Sequence, residues 1–479
     1  MGVNGTTTAD GSAAETAGPS LTGPSATGAA PPTLPVLPDE ATERVLASGL
    51  LPELAHAFGG PFHFLLPEAF DGNLRGMWEA LASAGVEGFV YFAKKANKAA
   101  VFAERAAAGG AGVDVASVGE LREALGHGVR GEHLVVTGPA KDPALLHLAV
   151  RHGALITVDA LDELDALVGG VLGGRIRPAR ILLRCLPPGQ PHSRFGLSEP
   201  ELATALDRCV RAGDALRMEG FGFHLSGYAL QPRADLAARL VGLCLAARMR
   251  GLEASRISIG GGLPVSYTDA ESWHDFLARQ HSGHYHAGKT FHTGDFYPYH
   301  SPVAGAGALA ALLATRPEGH GQPLSRLLTD SGVLLLLEPG RALLHQAGAT
   351  VFRVQGVKER AGYRILTVDG TSLSLSEQWF NSEYLPDPVL LPQDPGAERG
   401  TFPASVGAAT CLESDLLTWR KIPFPVRPRT GDLLVYPNTA GYQMDSNESP
   451  FHDLPLPPKV VVDRTGPARP RWRLDRHFT

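Results

Sequence analysis

Residues 88–97 read GFVYFAKKAN, an apolar run that ends abruptly in two lysines. The first six residues are mostly aromatic or β-branched, which is typical of a short buried strand. Lys94 and Lys95 follow at once, and Lys98 comes shortly after. Because an isolated buried ammonium is very unfavourable, either the strand reaches solvent here or one lysine carries a reactive group at the mouth of a barrel. The rest of the chain has to decide between these interpretations.

Seven further apolar runs of similar length follow, most of them separated by Ala-, Leu-, Glu- and Arg-rich stretches of helical length. Eight strands that alternate with helices are what a closed parallel (β/α)8 TIM barrel requires. An open doubly wound sheet is the alternative, because a count of strands does not show closure. The predicted strands are residues 88–93, 111–116, 133–138, 154–159, 180–185, 220–225, 256–261 and 333–338.

The pattern changes after residue 345. The segments 349–370 and 430–442 alternate apolar and polar residues around turns, which predicts a second, mainly antiparallel β domain. The earlier run PFHFLLP (61–67) could cross over to join it. The predicted organisation is a disordered Gly/Ala/Thr/Ser/Pro-rich tail (1–36), a segment contributing to the β domain (37–67), the barrel (68–342) and the C-terminal β domain (343–479).

Composition excludes several classes of function. The chain has 479 residues, and 43 Lys and Arg against 49 Asp and Glu give a net charge of −6. No basic block suggests a nucleic-acid partner, and no run of 18 apolar residues suggests a membrane span. The four cysteines are far apart with no C-x-x-C pair, which argues against a zinc knuckle or a disulfide framework and fits a cytoplasmic protein.

Polar residues and glycines gather at the C-terminal ends of the predicted strands, where TIM barrels place their active sites. Each has an ordinary explanation on its own, since strand ends are commonly polar. Together they favour a site. The set consists of Lys94, Lys95, Asp114, Ser117, Thr137, Asp159, Arg184, His224, Gly260, Gly261, Gly262, Glu338, Gly340 and Arg341.

Seven short segments, taken together and in this order, resemble the fold type III pyridoxal-phosphate-dependent decarboxylases, which include the ornithine and diaminopimelate decarboxylases. The resemblance implies an alanine-racemase-like barrel, and it covers the chain from about residue 60 to the C-terminus. The segments are FAKKAN (92–97), GVDVASVGEL (112–121), SRFGLS (193–198), ISIGGGLPVSY (257–267), EPGR (338–341), ATCLESD (409–415) and GDLLVYPNTAGY (431–442).

The resemblance implies that pyridoxal 5′-phosphate is the cofactor and that Lys95 binds it as a Schiff base. In a strand, Lys95 shares one face with Tyr91, and Lys94 shares the other face with Phe92. Periodicity alone does not say which face points into the barrel. The resemblance selects Lys95.

Two features have a direct chemical rationale. Glycines 260–262 let backbone N–H groups approach a phosphate closely. A carboxylate from Glu338 against the pyridine nitrogen favours the protonated, electron-withdrawing ring, whereas the related alanine racemases place an arginine there, so Glu338 favours decarboxylation. The resemblance implies further cofactor contacts from Asp114, Arg184, His224, Ser226, Gly340, Arg341 and Tyr442.

His224 is expected to stack on the cofactor ring as part of the catalytic group, with a purely structural histidine as the alternative. The family shares its active sites across a two-fold dimer, so Cys411 would donate a proton in the partner's site. An inert core thiol is the alternative. Relatives that bind a distal amine carry an acid directly after this cysteine, but Leu412 stands here. Glu413 and Asp415 are therefore the predicted substrate-binding residues.

The segment 273–305 lies between the last two predicted barrel strands and contains six histidines among aromatic residues. Its spacing matches no metal motif, and no metal is expected. An aromatic lid over the substrate and a purely structural insertion are both open.

These observations predict a homodimeric, cytoplasmic lyase of amino-acid metabolism that decarboxylates a small-molecule amino acid. A racemase or epimerase of the same fold and a catalytically inactive regulator are the alternatives. The sequence does not identify the amino acid or the stereochemistry at the reacting carbon.

Overall fold

The computed structural model describes residues 31–170, 177–375, 382–463 and 470–475. The part of the predicted tail before residue 31 lies outside the described residues. Among the helices described, none is both long and apolar enough to span a membrane.

The described chain begins with an ordered extended segment. Leu34 is fully buried, and the guanidinium of Arg420 donates to the carbonyl oxygen of Pro32 at 3.0 Å. This segment therefore contacts the β domain through Pro32 and Leu34. The predicted disordered tail, residues 1–36, thus includes ordered residues. Proline-rich composition concealed this, because the burial depends on a partner nearly 400 residues away. Helices α1 (Glu40–Ala47) and α2 (Leu50–Phe58) and strand β1 (Phe62–Leu65) follow.

Eight parallel strands close into a barrel in the order β2 to β9, which confirms the predicted (β/α)8 fold and rules out the open sheet. Closure comes from the pairing of β9 with both β2 and β8. The strands are β2 (Gly88–Ala93), β3 (Gly112–Val115), β4 (Leu134–Val136), β5 (Leu155–Val158), β6 (Ala179–Arg184), β7 (Leu216–Gly222), β8 (Arg256–Ser258) and β9 (Leu334–Leu337).

Helices surround the barrel and bury one face each against the strands. Several begin at residues that satisfy free N–H groups. Ser117 caps α5 by accepting from the N–H of Glu120, and Ser198 and Glu201 form a capping box at the start of α8. The helices are α3 (Pro67–Ser83), α4 (Ala100–Ala108), α5 (Val118–Gly126), α6 (Pro143–His152), α7 (Leu161–Gly169), α8 (Glu199–Ala212), α9 (Leu230–Met249), α10 (Ala270–Arg279), α11 (Gly305–Ala314) and α12 (Leu324–Ser331).

The remaining strands form a nine-stranded, mainly antiparallel sheet that includes β1. The early strand pairs antiparallel with β10 and parallel with β16, so the chain crosses over to this sheet before it enters the barrel. The sheet strands after the barrel are β10 (Gly348–Arg360), β11 (Tyr363–Val368), β12 (Val389–Leu391), β13 (Arg399–Gly407), β14 (Leu416–Val426), β15 (Leu433–Tyr436), β16 (Lys459–Asp463) and β17 (Arg471–Leu474).

An apolar layer fills the barrel interior. It is formed by one inward residue from each of five strands, whereas Phe92 and Val90 pack outward in the core shared with the helices. Tyr91 therefore faces inward. The strand ends at Ala93, however, so its alternation does not extend to Lys94 and Lys95, which lie in a 3-10 turn. The layer consists of Tyr91, Val135, Leu155, Leu182 and Leu336.

The insertion 273–305 packs against the β domain. Tyr285 forms a bridge with Arg420 on β14, and His286 Nδ1 lies 2.8 Å from the hydroxyl of Tyr363 on β11. The ammonium of Lys289 lies 3.8 Å from the ring centre of Trp419. These contacts favour the structural interpretation over a lid. Among the described residues, no three His, Cys, Asp or Glu side chains are grouped so as to hold a metal ion.

Candidate active site

Lys95 lies at the open rim of the barrel, in a short 3-10 turn that follows β2. Its Nζ is 3.0 Å from Oδ2 of Asp114, and its side chain is 48% exposed whereas that of Asp114 is buried. The other oxygen of Asp114 accepts a 2.6 Å hydrogen bond from the hydroxyl of Thr137. The charge of Asp114 raises the pKa of Lys95 above its usual value. The amine is thus held in one place by a carboxylate that is itself fixed.

The two neighbouring lysines have other roles. Lys94 is fully buried, donates to the carbonyl oxygen of Lys98 at 3.0 Å and lies 3.4 Å from Glu123 on α5. Lys98 is half-exposed and pairs with Glu448. Of the three lysines in this stretch, Lys95 alone faces the rim of the barrel.

Glu338 follows β9 at the same rim. Its Oε1 accepts a 2.6 Å hydrogen bond from the hydroxyl of Ser258. Burial, together with the charge of Asp114, raises the pKa of Glu338 to about 7. Removing the carboxylate from water is unfavourable unless a positive group comes to face it, so Glu338 is placed to receive a cationic or protonated partner.

The glycines after β8 and β9 stand where a side chain would collide with neighbouring residues. Gly262 has a φ of +77°, and a Cβ there would collide with the guanidinium of Arg233. A Cβ on Gly340 would lie 2.7 Å from the hydroxyl oxygen of Tyr442. Glycine loops without side chains let backbone N–H groups approach an anion such as a phosphate closely.

Arg233 packs against this glycine loop, although the sequence pattern did not single it out. The residue is on α9 and is 1% exposed. Its guanidinium donates to the carbonyl oxygen of Ile259 at 3.0 Å and to that of Gly227 at 3.2 Å, so it connects the loops that follow β7 and β8. Burial lowers its pKa to about 10. The only indication in the sequence was an arginine among the apolar residues of a predicted helix.

Arg341 is held between two aromatic rings. Its guanidinium carbon lies 4.4 Å from the ring centre of Tyr297 and 5.0 Å from that of Tyr442. It also donates to the hydroxyl of Tyr267 at 2.7 Å. Tyr297 belongs to the insertion and is hydrogen-bonded to Tyr228 at 2.9 Å, so one residue of the insertion does reach this site.

Tyr442 connects the β domain to the lysine turn. Its backbone N–H donates to the carbonyl oxygen of Ala96 at 2.8 Å, directly after Lys95. The residue has a φ of +77°, which is strained for a non-glycine residue and is maintained by this packing.

His224, Ser226 and Arg184 lie at the ends of β7 and β6. Desolvation and the charge of Lys95 lower the pKa of His224, which leaves its ring neutral at pH 7. Ser226 is exposed. Arg184 pairs with Asp159 at 3.1 Å and stacks on Phe195 with 4.4 Å between its guanidinium carbon and the ring centre.

The cysteine loop, residues 409–415, is on the surface of the β domain. Cys411 is exposed, unlike the three other cysteines, and its Sγ lies 3.3 Å from Nε2 of His452. The alternative interpretation of Cys411 as an inert core thiol is therefore wrong. Glu413 is exposed as well.

The position of Asp415 does not favour the substrate-binding role predicted for it. It is buried, one carboxylate oxygen accepts from the N–H of Ser372 at 2.9 Å, and the other accepts from the hydroxyl of Thr410 at 2.5 Å. Both oxygens are engaged in holding the cysteine loop, which argues against the predicted contact with substrate. Spacing from Cys411 could not reveal this, because the loop folds back on itself.

In sequence, the chain is similar to pyridoxal-dependent decarboxylases and to an uncharacterized protein. Residues 72–295 match the family model described as pyridoxal-dependent decarboxylase, pyridoxal binding domain. The chain is 38% identical to the uncharacterized protein y4yA of Sinorhizobium fredii, covering 88% of this chain and 92% of that protein. It is 28% identical to a diaminopimelate decarboxylase of Actinosynnema pretiosum subsp. auranticum, over 90% of each chain.

Solved structures share the fold. The diaminopimelate decarboxylase of Helicobacter pylori complexed with L-lysine superposes with a TM-score of 0.67 at 18% identity, covering 87% of this chain and 93% of that one. The lysine/ornithine decarboxylase of Vibrio vulnificus complexed with cadaverine gives the same TM-score at 21% identity, covering 87% and 96% of the two chains.

Proposed function

The chain belongs to the fold type III pyridoxal-phosphate-dependent decarboxylases, and from this we propose that it releases carbon dioxide from a free amino acid, with diamino acids as the first class to test. The observation that carries the proposal is the amine of Lys95, held at the barrel rim by a buried carboxylate. The named relatives support the substrate class.

The rim residues fit pyridoxal phosphate, the cofactor of the family. Lys95 offers an amine, the glycine loops offer backbone where a side chain would not fit, and Glu338 offers a half-buried carboxylate with a raised pKa. When bound, the cofactor supplies an aldehyde that reacts with amines and a ring that withdraws electrons. In this assignment Lys95 would hold the aldehyde end through its amine, and Glu338 would face the ring nitrogen.

The other residues bind and orient the cofactor. Gly260, Gly261, Gly262, Gly340, Ser226, Arg341 and Tyr442 are the proposed phosphate contacts. Asp114 and Arg184 are proposed to face the ring substituents. His224 presents a neutral ring that can stack without bringing a competing positive charge. Each of these assignments rests on position at the rim and on the family pattern.

We further propose a homodimer in which Cys411 reaches the partner's active site. The exposed thiol lies beside His452, which can exchange a proton with it, and Cys411 would deliver that proton to the substrate carbon that loses the carboxylate. Glu413 is exposed on the same loop and remains the proposed contact for the distal group of the substrate.

Mixing two inactive variants tests the shared site. Lys95→Ala and Cys411→Ala homodimers should each be nearly inactive. After subunit exchange, half of the dimers are mixed and one of their two sites is intact, so about a quarter of the wild-type activity should return. Decarboxylation assays before and after mixing check this. No recovery, with exchange verified by tagged subunits, would place Cys411 and Lys95 in the same subunit's site.

Arg233 should be a positioning residue for the phosphate loops. Arg233→Gln removes charged hydrogen bonds to Ile259 and Gly227, so cofactor affinity should fall by roughly tenfold or more. Saturation at high cofactor concentration should restore most of the catalytic rate, which a direct catalytic role would not allow. Arg239→Gln is the matched control, because Arg239 lies on the same helix but pairs with the exposed Glu199. Equal cofactor affinity in both variants would contradict the assignment.

The function itself is tested by incubating cofactor-loaded protein with individual amino acids and measuring carbon dioxide. The same reactions run in deuterated water distinguish the alternatives. Release of carbon dioxide supports decarboxylation, whereas exchange at the α-carbon without carbon dioxide indicates a racemase or epimerase. Neither event with any amino acid would indicate the inactive regulator.

A further inference from the structure

We propose that the N-terminal end of the barrel, opposite the candidate active site, binds a small multivalent anion, either a phosphate compound or a di- or tricarboxylate. A cavity of about 400 Å³ opens at this end, where β6, β7 and β8 begin. No function assigned above uses it. Its charged lining residues are Arg177, Arg180, Arg217, Arg256, Glu132 and Glu219.

Glu219 is the centre of this arginine pocket. It is 2% exposed, and both of its oxygens accept from the guanidinium of Arg180, at 2.6 and 3.1 Å. The Nε atoms of Arg217 and Arg256 approach the same carboxylate at 3.5 and 3.3 Å. Three guanidinium groups therefore converge on one buried carboxylate in the lining of the cavity.

The pocket carries excess positive charge. Four arginines and two glutamates line the cavity, and two of these residues have partners just outside it: Glu253 pairs with Arg217, and Arg130 pairs with Glu132. Five arginines against three glutamates leave an excess of two positive charges in and around a partly enclosed space. Repulsion between like charges in such a site is unfavourable, and a multivalent anion relieves it. Planar guanidinium groups also match the geometry of phosphate and carboxylate oxygens.

The arginines differ in which of their guanidinium nitrogens an anion could contact. Arg180 is committed to the protein, because its remaining terminal nitrogen donates to the carbonyl oxygen of Gly153 at 2.8 Å. Arg217 pairs through Nε with Glu253 at 2.6 Å as well as with Glu219, and Arg256 pairs through Nε with Glu219. Within the described residues, the terminal nitrogens of Arg217 and Arg256 form no hydrogen bond. Their side chains are 52% and 29% exposed, so those nitrogens are accessible from solvent.

The pocket is separate from the candidate active site. The apolar layer that includes Tyr91 and Leu336 fills the barrel between the two ends. An anion bound below this layer would therefore not contact the glycine loops proposed to bind phosphate. A purely structural ion cluster is the competing explanation, since the N-terminal ends of barrel strands usually serve stability.

The two explanations predict different results for the Glu219→Gln variant. If Glu219 only neutralises the arginines, its loss weakens the fold and creates no specific response. If the pocket binds anions, removing the internal carboxylate leaves more positive charge for the ligand, so anion affinity should rise several-fold. Arg217→Gln and Arg256→Gln should each lower it by about tenfold, the loss of one charged hydrogen-bonding group.

Calorimetric titration of the cofactor-loaded protein with inorganic pyrophosphate, and separately with citrate, tests the proposal and distinguishes the two ligand chemistries. Unchanged cofactor absorbance shows that the active site stays filled. Arg250→Gln is the matched control, because Arg250 lies near the same end and pairs with the exposed Asp207. Saturable binding of either anion that Arg217→Gln weakens and Arg250→Gln preserves is expected. No saturable binding, or binding equal in all variants, would overturn it. If Arg256→Gln fails to fold, the anion affinity of Arg217→Gln alone still distinguishes the two explanations.

Discussion

Replacing Lys95 by alanine or arginine should lower decarboxylation by roughly a thousandfold or more, as expected when the group that bonds covalently in a reaction is removed. The arginine variant is the more informative of the two. It keeps a positive charge for Asp114, whose buried carboxylate would otherwise lose its partner, but it cannot bond to an aldehyde as an amine does. Carbon dioxide release from the best substrate measures the effect.

Lys98→Met is the matched control for this experiment. Lys98 lies three residues further on, is half-exposed and pairs with Glu448 outside the rim. Its loss should change the rate by less than about twofold, as for an exposed ion pair. If Lys95→Arg kept substantial activity while Lys98→Met lost it, the wrong lysine would have been assigned to the cofactor.

Glu338→Gln should lower decarboxylation by about a hundred- to a thousandfold, because a neutral amide cannot stabilise a protonated ring nitrogen as a carboxylate does. Ser258→Ala is the graded comparison. It removes only the 2.6 Å hydrogen bond to Glu338, so its effect should be about tenfold or less. Activities within a factor of two for Glu338→Gln and the wild type would contradict the proposed contact with the ring nitrogen.

The same carboxylate should affect stability in the cofactor-free protein. Its pKa rises from 4.5 to about 7 on folding, so between these pH values the folded protein holds a proton that the unfolded chain releases. The free energy of unfolding contributed by Glu338 therefore falls as pH rises through this window. Glu338→Gln cannot titrate, and cofactor-free Glu338→Gln should gain stability relative to the wild type between pH 5 and pH 8. Thermal unfolding of both proteins at each pH checks this.

The barrel could be predicted from the sequence because each of its strands is a short apolar run buried on both faces, with a helix after it. β7 was the exception, since it begins at Leu216 and the prediction began at residue 220. Arg217 and Glu219 interrupt its apolar pattern. They are tolerated there because they pair with each other and because Glu219 also pairs with Arg180 of β6 and Arg256 of β8.

The site was only partly visible in the sequence. Residues that follow strands, such as Lys95 and Glu338, could be placed because parallel strands end at one rim. Arg233 and Tyr297 could not, because one reaches the site from the buried face of a helix and the other from an insertion. Their contacts connect segments far apart in the chain. The fixing of Asp415 inside its own loop likewise depends on tertiary contacts with Ser372 and Thr410.

The most direct test of the account is to treat the cofactor-loaded protein with borohydride, digest it and locate the modified peptide by mass spectrometry. The account predicts a single reduced adduct on Lys95. An adduct on Lys94, Lys98 or any other lysine, or no adduct in protein shown to contain cofactor, would contradict it.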